Sequence, residues 1–529
     1  MREPVRVTRR GLLAHGAAAG LSTTLAGTAA TALAASSRRP MGLPSSRQVR
    51  ADVERMVAFG PRLTASDAHA RYVAWLEQEF AAAGLQLRAP DRYRTQRWLA
   101  SSAGLEILDG PMSGAADVAT YYPRSLPTPA QGVTGPLVYG GVAPLPSVSV
   151  TDLGALAAAV ERYPSDITSW ASGLGGTLPG TSRSILLVDL PVPIPLAGAV
   201  FLPSATYLNW PGHTIADWAA SDYKRLWIEP GLSIPLAPFQ AIGAAAVVFI
   251  VDASFEALKG GYLPFTHGFE PLPALYVDRD TGQRLRLQSA TRPTTRLTLT
   301  ATVKESPTDG ITAVLPGKSP ETIIFNTHTD GQGFVEENAG VGFVHLARYF
   351  ASRPRAKRLN RTLVFAAWPG HMVADLPQTQ GWIDAHPDIV KRSAAALTLE
   401  HLGCTEWDDT VQYGYRPTGD PEMFAVWTTQ GKMFELTRDT VVAHGLPRTA
   451  LLRPPVQFGV GGAFQSAGVP QIGAIAGPEY LLTVSPNGEL DKFDEALAAR
   501  QIAWVADLAT RLDRVPASQL RQGDPTLGA

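Results

Sequence analysis

The sequence is nearly without cysteine: among its 529 residues, Cys404 alone carries a thiol. One cysteine cannot close an intramolecular disulfide and cannot build a cysteine-based zinc finger, so any metal here must be held by histidine and carboxylate. An excess of charge of one sign is also missing, because 46 Lys and Arg face 47 Asp and Glu for a net charge of -1. No basic field invites nucleic acid and no polybasic tract invites an anionic membrane. The expected partner is a small molecule or a peptide. Beyond the first forty residues, no apolar stretch approaches the roughly 20 residues of a membrane-spanning helix. Three catalytic signatures are absent as well: a G-x-S-x-G elbow, an H-E-x-x-H helix and a P-loop. Cys404 follows a glycine at a strand end and reads as a small buried residue.

What is present starts at the N-terminus. Arg9 and Arg10 follow Thr8, an Ala-rich apolar run extends from Gly11 to Leu33, and Ala32, Leu33 and Ala34 form an A-x-A cleavage site. This pattern predicts a twin-arginine signal peptide over residues 1–34 and a secreted or extracytoplasmic mature protein with no stable membrane insertion after cleavage. Cargo of that route crosses the membrane already folded, which raises the expectation of a metal loaded beforehand.

The mature chain is long enough for two or three domains. Helical spacing at Val49, Val53, Met56 and Val57, then at Tyr72, Trp75, Leu76 and Phe80, predicts two helices that open a first part over 43–125. From 126 to 299 Pro and Gly become dense, and short apolar strands such as 185–190 and 244–252 lie between turn-rich connections, the texture of an inserted β-rich domain. Over 300–515 continuous apolar runs at 321–328, 361–368, 394–403 and 469–477 alternate with helical stretches near 339–351, 377–386 and 422–444, before a last helix carrying Phe493, Leu497, Ile502, Val505 and Leu508. Such runs suit an α/β fold whose sheet is buried on both faces.

Ligands of open α/β sheets sit beyond the carboxyl ends of the strands, so the polar residues after each apolar run are the candidates. The first run ends in His328, Thr329 and Asp330, a spacing that places an imidazole at a metal with a carboxylate to orient its second nitrogen. Glu336, Glu337 and Asn338 open the next helix, where acidic residues are also favoured by the helix dipole alone. The second run ends in Pro369, Gly370 and His371, the third in Glu400 and His401. His401, adjacent to Glu400, faces the opposite side of a regular strand and reads as supporting or structural. Trp368, Trp407 and Tyr415 are candidates to line an apolar pocket, with core packing the commoner fate of such rings.

Together these segments resemble the di-zinc aminopeptidase family, which includes leucyl aminopeptidases, aminopeptidase Y and glutamate carboxypeptidases, in its form with an inserted protease-associated domain. The resemblance is carried by FGPRLTASDAHARYVAWLEQEFAAAGL (59–85), HTD (328–330) followed by EENAGVGFVHLAR (336–348), LVFAAWPGHM (363–372), LTLEHLG (397–403) and AFQSAGVPQIG (463–473). In the insert it is carried by GPLVYGG (135–141) and LPALYV (272–277). It implies a three-layer αβα sandwich and an exported, metallopeptidase-like zinc hydrolase acting on an amide, peptide or related bond. By this resemblance His328, Glu337 and Glu400 are metal ligands, Asp330 orients His328, and Glu336 is the alternative ligand if the register slips by one. The chain departs from the family at two places: His371 and Met372 stand where it has two consecutive Glu, and Gly461, Gly462 and Ala463 where it has a last metal-binding His ahead of Phe464. The expectation is therefore one zinc per chain, with His371 as general base or as a fourth ligand. The alternatives are a non-catalytic secreted binding protein on the same fold, or a hydrolase of an ester or another small molecule.

Overall fold

The computed structural model describes residues 42–144, 153–177, 183–190, 201–221, 223–228, 234–263, 267–454, 457, 459–524 and 527. The predicted signal peptide lies outside them. Residues Arg39–Ala529 form one compact unit.

Apolar runs buried on both faces make the centre of this unit. Strands β1 (Asp91–Ile107), β2 (Thr120–Tyr121), β3 (Val133–Val142), β4 (Ile185–Leu190), β5 (Ala205–Asn209), β6 (Ala246–Val251), β7 (Ala274–Val277), β8 (Thr294–Leu315), β9 (Thr322–His328), β10 (Thr362–Trp368), β11 (Ser393–Leu399), β12 (Phe424–Thr428), β13 (Thr449–Leu452) and β14 (Gln471–Ala476) share one sheet. The order is β2-β7-β6-β4-β3-β8-β10-β9-β11-β14-β12-β13-β5, and β1 pairs antiparallel along β8. At the heart of the sheet β10, β9, β11 and β14 run parallel.

Alternate side chains of these strands go to different clusters. Ile323 and Phe325 of β9, with Leu363 and Phe365 of β10, pack beside Phe343 and Val344 of helix α3 (Ala339–Ala351). Ile324, Val364, Ala366 and Trp368 pack on the other face with Trp382 and Phe464. Period-two alternation with both faces apolar is what makes the runs continuous in sequence. Helices therefore cover the sheet on each side, in three layers. Trp368 belongs to this core.

Helix α1 (Ser46–Val57) starts in a capping box between Ser45 and Gln48, and α2 (Asp67–Ala82) starts at Ser66, whose hydroxyl accepts from the His69 amide. Helix α5 (Glu495–Leu512) is capped by Asp494 and leaves Phe493 outside, and a short helix over Ala517–Arg521 follows it.

Two local expectations change. The stretch 422–444 is not one helix: Phe424–Thr428 is strand β12 and only α4 (Lys432–Ala443) is helical. The apolar run Met423–Trp427 satisfies a buried strand as well as a helix, and Gly431 at φ 72 separates the two elements. The insert is also more helical than its Pro and Gly content suggests, with a helix over Leu153–Thr177 that contains Pro164. Its parallel strands β3, β4, β6 and β7 continue the main sheet through β8.

Candidate metal centre

Because β9, β10 and β11 are parallel, their carboxyl ends fall at one edge, and His328, His371 and Glu400–His401 meet there. His328 closes β9, and its Nδ1 lies 2.9 Å from the Asp330 carbonyl oxygen. A carbonyl can only accept, so Nδ1 carries the hydrogen and Nε2 of the neutral ring keeps its lone pair. His401 repeats this arrangement, with Nδ1 2.6 Å from the Ala476 carbonyl oxygen. Two imidazoles oriented through main-chain carbonyls, each with Nε2 turned inward, have the usual bearing of metal-ligating histidines.

The sequence alternation that sends His401 to the far face fails for a local reason. The strand ends at Leu399, and His401 sits in left-handed backbone at φ 56, which turns its ring back into the cluster.

Glu336 is the carboxylate at the centre. Its Oε2 lies 3.6 Å from His328 Nε2, 3.5 Å from His371 Nε2 and 3.7 Å from His401 Nε2. Glu400 Oε2 is 3.5 Å from His328 Nε2, while its Oε1 accepts from the Val460 amide at 2.9 Å. Gly459, at φ +85, leaves room for that carboxylate where a Cβ would overlap it. Glu337 turns the other way and pairs with the buried guanidinium of Arg62. The geometry thus places Glu336 and not Glu337 among the histidines.

Asp330 has a different task from the one its spacing suggests. The main-chain carbonyl, not the carboxylate, holds His328, and the carboxylate is 3.9 Å from Nδ1. It accepts instead from Thr64 Oγ1 and from the amides of Gly370, His371 and Met372, so it shapes the loop that presents His371. Asn338 ties the same neighbourhood together: its side chain exchanges two 2.8 Å bonds with the Leu402 main chain. Sequence reading missed Arg62, Thr64 and Asn338 as parts of the site. For Asn338 the signal was its place after two glutamates at a helix start; Arg62 and Thr64 had none beyond the resemblance of their segment.

Electrostatics mark the cluster as cation-seeking. Burial works against charge on His328, but Glu400, Glu336 and Asp330 outweigh it and push the ring up to about 9. Burial likewise opposes ionisation of Glu400, yet His328, His401 and His371 hold it down at about 2. Glu336 is also lowered, against burial, by His401, His371 and His328. His371 is lowered by burial and by His328. Exposure separates the members: His371 is 15% exposed at its side chain, whereas His328, Glu336, Glu400 and His401 are at 1% or less.

Among the described residues, two groups of three have ligand atoms close enough for one ion, His328, Glu400 and His401, and His328, Glu336 and His371. His328 Nε2, His401 Nε2, both Glu336 oxygens, Glu337 Oε2 and Glu400 Oε2 are buried without a hydrogen-bond partner. Buried polar atoms of this kind are costly unless something satisfies them, and a set of imidazole and carboxylate donors fits a zinc-like divalent ion.

Comparison with known proteins places the fold. No family model matches the chain, and no curated protein does. Among solved structures, a peptidase M28 precursor from Shewanella amazonensis superposes with a TM-score of 0.60 at 15% identity, covering 89% of this chain and 96% of its own. A zinc aminopeptidase from Bacillus subtilis gives 0.54 at 16% identity, with 90% and 98% covered. An aminopeptidase from Aneurinibacillus gives 0.51 at 14% identity, with 88% and 93% covered. The chain has the fold of the zinc aminopeptidases. At this identity the likeness concerns the aminopeptidase fold alone, and the chemistry of the chain rests on its own cluster.

The remaining aromatic candidates lie elsewhere on the aminopeptidase fold. Trp407 and Tyr415 sit on the hairpin Thr405–Thr410/Gly414–Pro421, where with Tyr480 they surround the Lys492 ammonium beside a cavity of about 380 Å³. Cys404 is buried, as expected.

A second charged assembly joins this hairpin to residues 223–228. Arg225 bonds Glu406, Asp408 and Glu422, Arg448 bonds Glu406, and Glu479 accepts from the Leu226 amide. Burial raises Glu479 from 4.5 to about 7, against the pull of Arg225. An acid raised on folding keeps its proton in the native state while the unfolded chain has released it. Its contribution to stability therefore falls as pH rises from about 4.5 to about 7 and stays level above. Glu479→Gln is expected to remove about 3 kcal/mol of this pH dependence, read as the difference between wild-type and variant urea-unfolding free energies at pH 5 and pH 8. Equal slopes in the two proteins would refute it.

Proposed function

We propose that this chain is an exported, metal-dependent hydrolase of the peptidase type that holds one zinc ion, cleaving an amide, peptide or related bond. The observation that carries the reading is the set of buried, unpartnered donors at the strand ends, with His328 and His401 both fixed through Nδ1 to main-chain carbonyls. His328, Glu400, His401 and Glu336 would hold the ion, which when bound supplies Lewis acidity toward a water or a carbonyl oxygen. The metal role given to Glu337 by resemblance passes to Glu336 in this reading.

His371 is the member with solvent access, so it is the one that can exchange protons with a substrate or a water. Glu336 Oε2, 3.5 Å from His371 Nε2, orients the ring, and Asp330 holds the loop beneath it. The fold neighbours bear peptidase names, which supports a peptide as the substrate class. The insert over 126–299 fits a protease-associated-like unit beside that centre.

Two measurements test the reading. Mature protein purified after native export should contain about one zinc per chain, and His328→Ala should lose both the metal and the cleavage of an aminoacyl or peptidyl amide panel. Metal-free wild-type protein would instead favour the non-catalytic binding alternative. Replacing Arg9 and Arg10 together by lysine should leave the precursor in the cytoplasm, as immunoblots of fractionated cells would show; unchanged export would remove the localisation proposal.

A further inference from the structure

Resting on this metal reading, we infer that Arg62 decides which of two adjacent glutamates reaches the cluster. Arg62 lies between α1 and α2, far in sequence from the strand ends, yet its side chain is wholly buried beside them. Its Nε pairs with Glu337 Oε1, Nη1 donates to the Met56 and Gly60 carbonyls at 3.1 and 2.5 Å, and Nη2 donates to the Gly333 carbonyl. A guanidinium with every nitrogen engaged in a dry site is a fixed fork, and its partner is fixed with it.

The turn carrying the two glutamates is clamped around that pair. The Gly331 amide donates to the Arg62 carbonyl at 3.1 Å, and Tyr72 donates its hydroxyl to the Glu337 carbonyl at 2.7 Å. A Cβ on Gly331 would overlap the Glu337 carboxylate and the Glu336 side chain, so only glycine lets the turn close over both. Asn338 then locks the turn to Leu402, two residues after Glu400. With Glu337 drawn outward, its neighbour Glu336 is directed inward among His328, His371 and His401.

Charge follows the same division. Two carboxylates, Glu336 and Glu400, stand beside the imidazole nitrogens. The third carboxylate, Glu337, is balanced by Arg62. Arg62 is thus a positioning residue.

The test uses the full mature protein stripped with chelator and titrated calorimetrically with zinc, comparing wild type, Glu336→Gln, Glu337→Gln, Arg62→Met and the Arg62→Met/Glu337→Gln double variant. Wild type should take one ion per chain. Glu336→Gln should weaken binding by about 100-fold, and Glu337→Gln should stay within about threefold of wild type. Arg62→Met should weaken binding by about tenfold or more, and the double variant should restore it, because no stray carboxylate is left to crowd the cluster. Circular dichroism confirms which variants are folded; should Arg62→Met fail to fold, the two single glutamine variants still decide. Glu337→Gln losing zinc as Glu336→Gln does, or a folded Arg62→Met that binds zinc as wild type does, would overturn the inference. Wild type binding no ion would overturn the metal reading beneath it.

Discussion

Asp330→Ala is expected to destabilise the protein by about 4 kcal/mol and to abolish turnover even if the other site residues stay in place. Asp330 is fully buried, and its Oδ2 accepts from Thr64 Oγ1 at 2.5 Å and from the Gly370 and Met372 amides at 3.0 and 3.1 Å. Its Oδ1 accepts from the His371 amide at 3.2 Å. Alanine leaves those amides facing a void, and each buried donor without an acceptor costs about 1–3 kcal/mol. Burial pushes this acid up, but His69, His328 and Thr64 outweigh it and hold the carboxyl below its usual range, so the ionised form is what the loop has formed around. The loop also carries His371, the proton carrier of the proposed function, so lost stability and lost turnover should appear together. Urea unfolding with an unchanged slope measures the first, and amide turnover at saturating zinc the second. Asp330→Asn, which keeps the shape and one acceptor oxygen, should recover about half of the stability. An alanine variant as stable as wild type would mean that water replaces the carboxylate.

The second large effect lies away from the candidate metal centre. Arg225→Met should cost about 3–5 kcal/mol, because Arg225 is the shared partner of Glu406, Asp408 and Glu422, with Nη2 2.9 Å from Glu422 Oε2 and Nη1 3.1 Å from Asp408 Oδ1. Its removal leaves Glu422, wholly buried beside Glu406, with only the Tyr223 hydroxyl and the Met423 amide as donors. Arg225→Met combined with Glu422→Gln should regain most of the loss, since the unpaired charge and not the missing contact is the main penalty. Unfolding free energies for the four proteins of this cycle give the coupling directly. Additive losses would show that Arg225 acts through packing alone.

The parts of the fold that could be read in advance are those whose burial is two-sided. β9, β10, β11 and β14 stand out because both of their faces are apolar, and helix Ala339–Ala351 because one face must meet them. The long strands β1 and β8 leave no such mark: much of their length is exposed or half-exposed, and their partner is each other across many intervening residues. A main-chain ladder has no hydrophobic signature. The site follows the same rule. Strand-end residues such as His328 and Glu400 are legible from position. The choice between Glu336 and Glu337 depends on Arg62, 275 residues away, and the inward turn of His401 on one left-handed residue.

The length of β8 has a consequence for dissection of the molecule. Its start, Thr294–Leu297, pairs with Val133–Pro136 in the insert, and its end, Ile311–Leu315, pairs with Leu363–Ala367 beside the loops of the candidate metal centre. A boundary at residue 299 falls within this single strand, next to the fully buried Leu297 and Leu299. The insert is therefore not a detachable module. Excising it would expose a raw sheet edge and two bare leucines in the remainder, an invitation to aggregate. Chimeras that seek to exchange it must carry β8 whole, together with β1, and make their joins in the turns outside them.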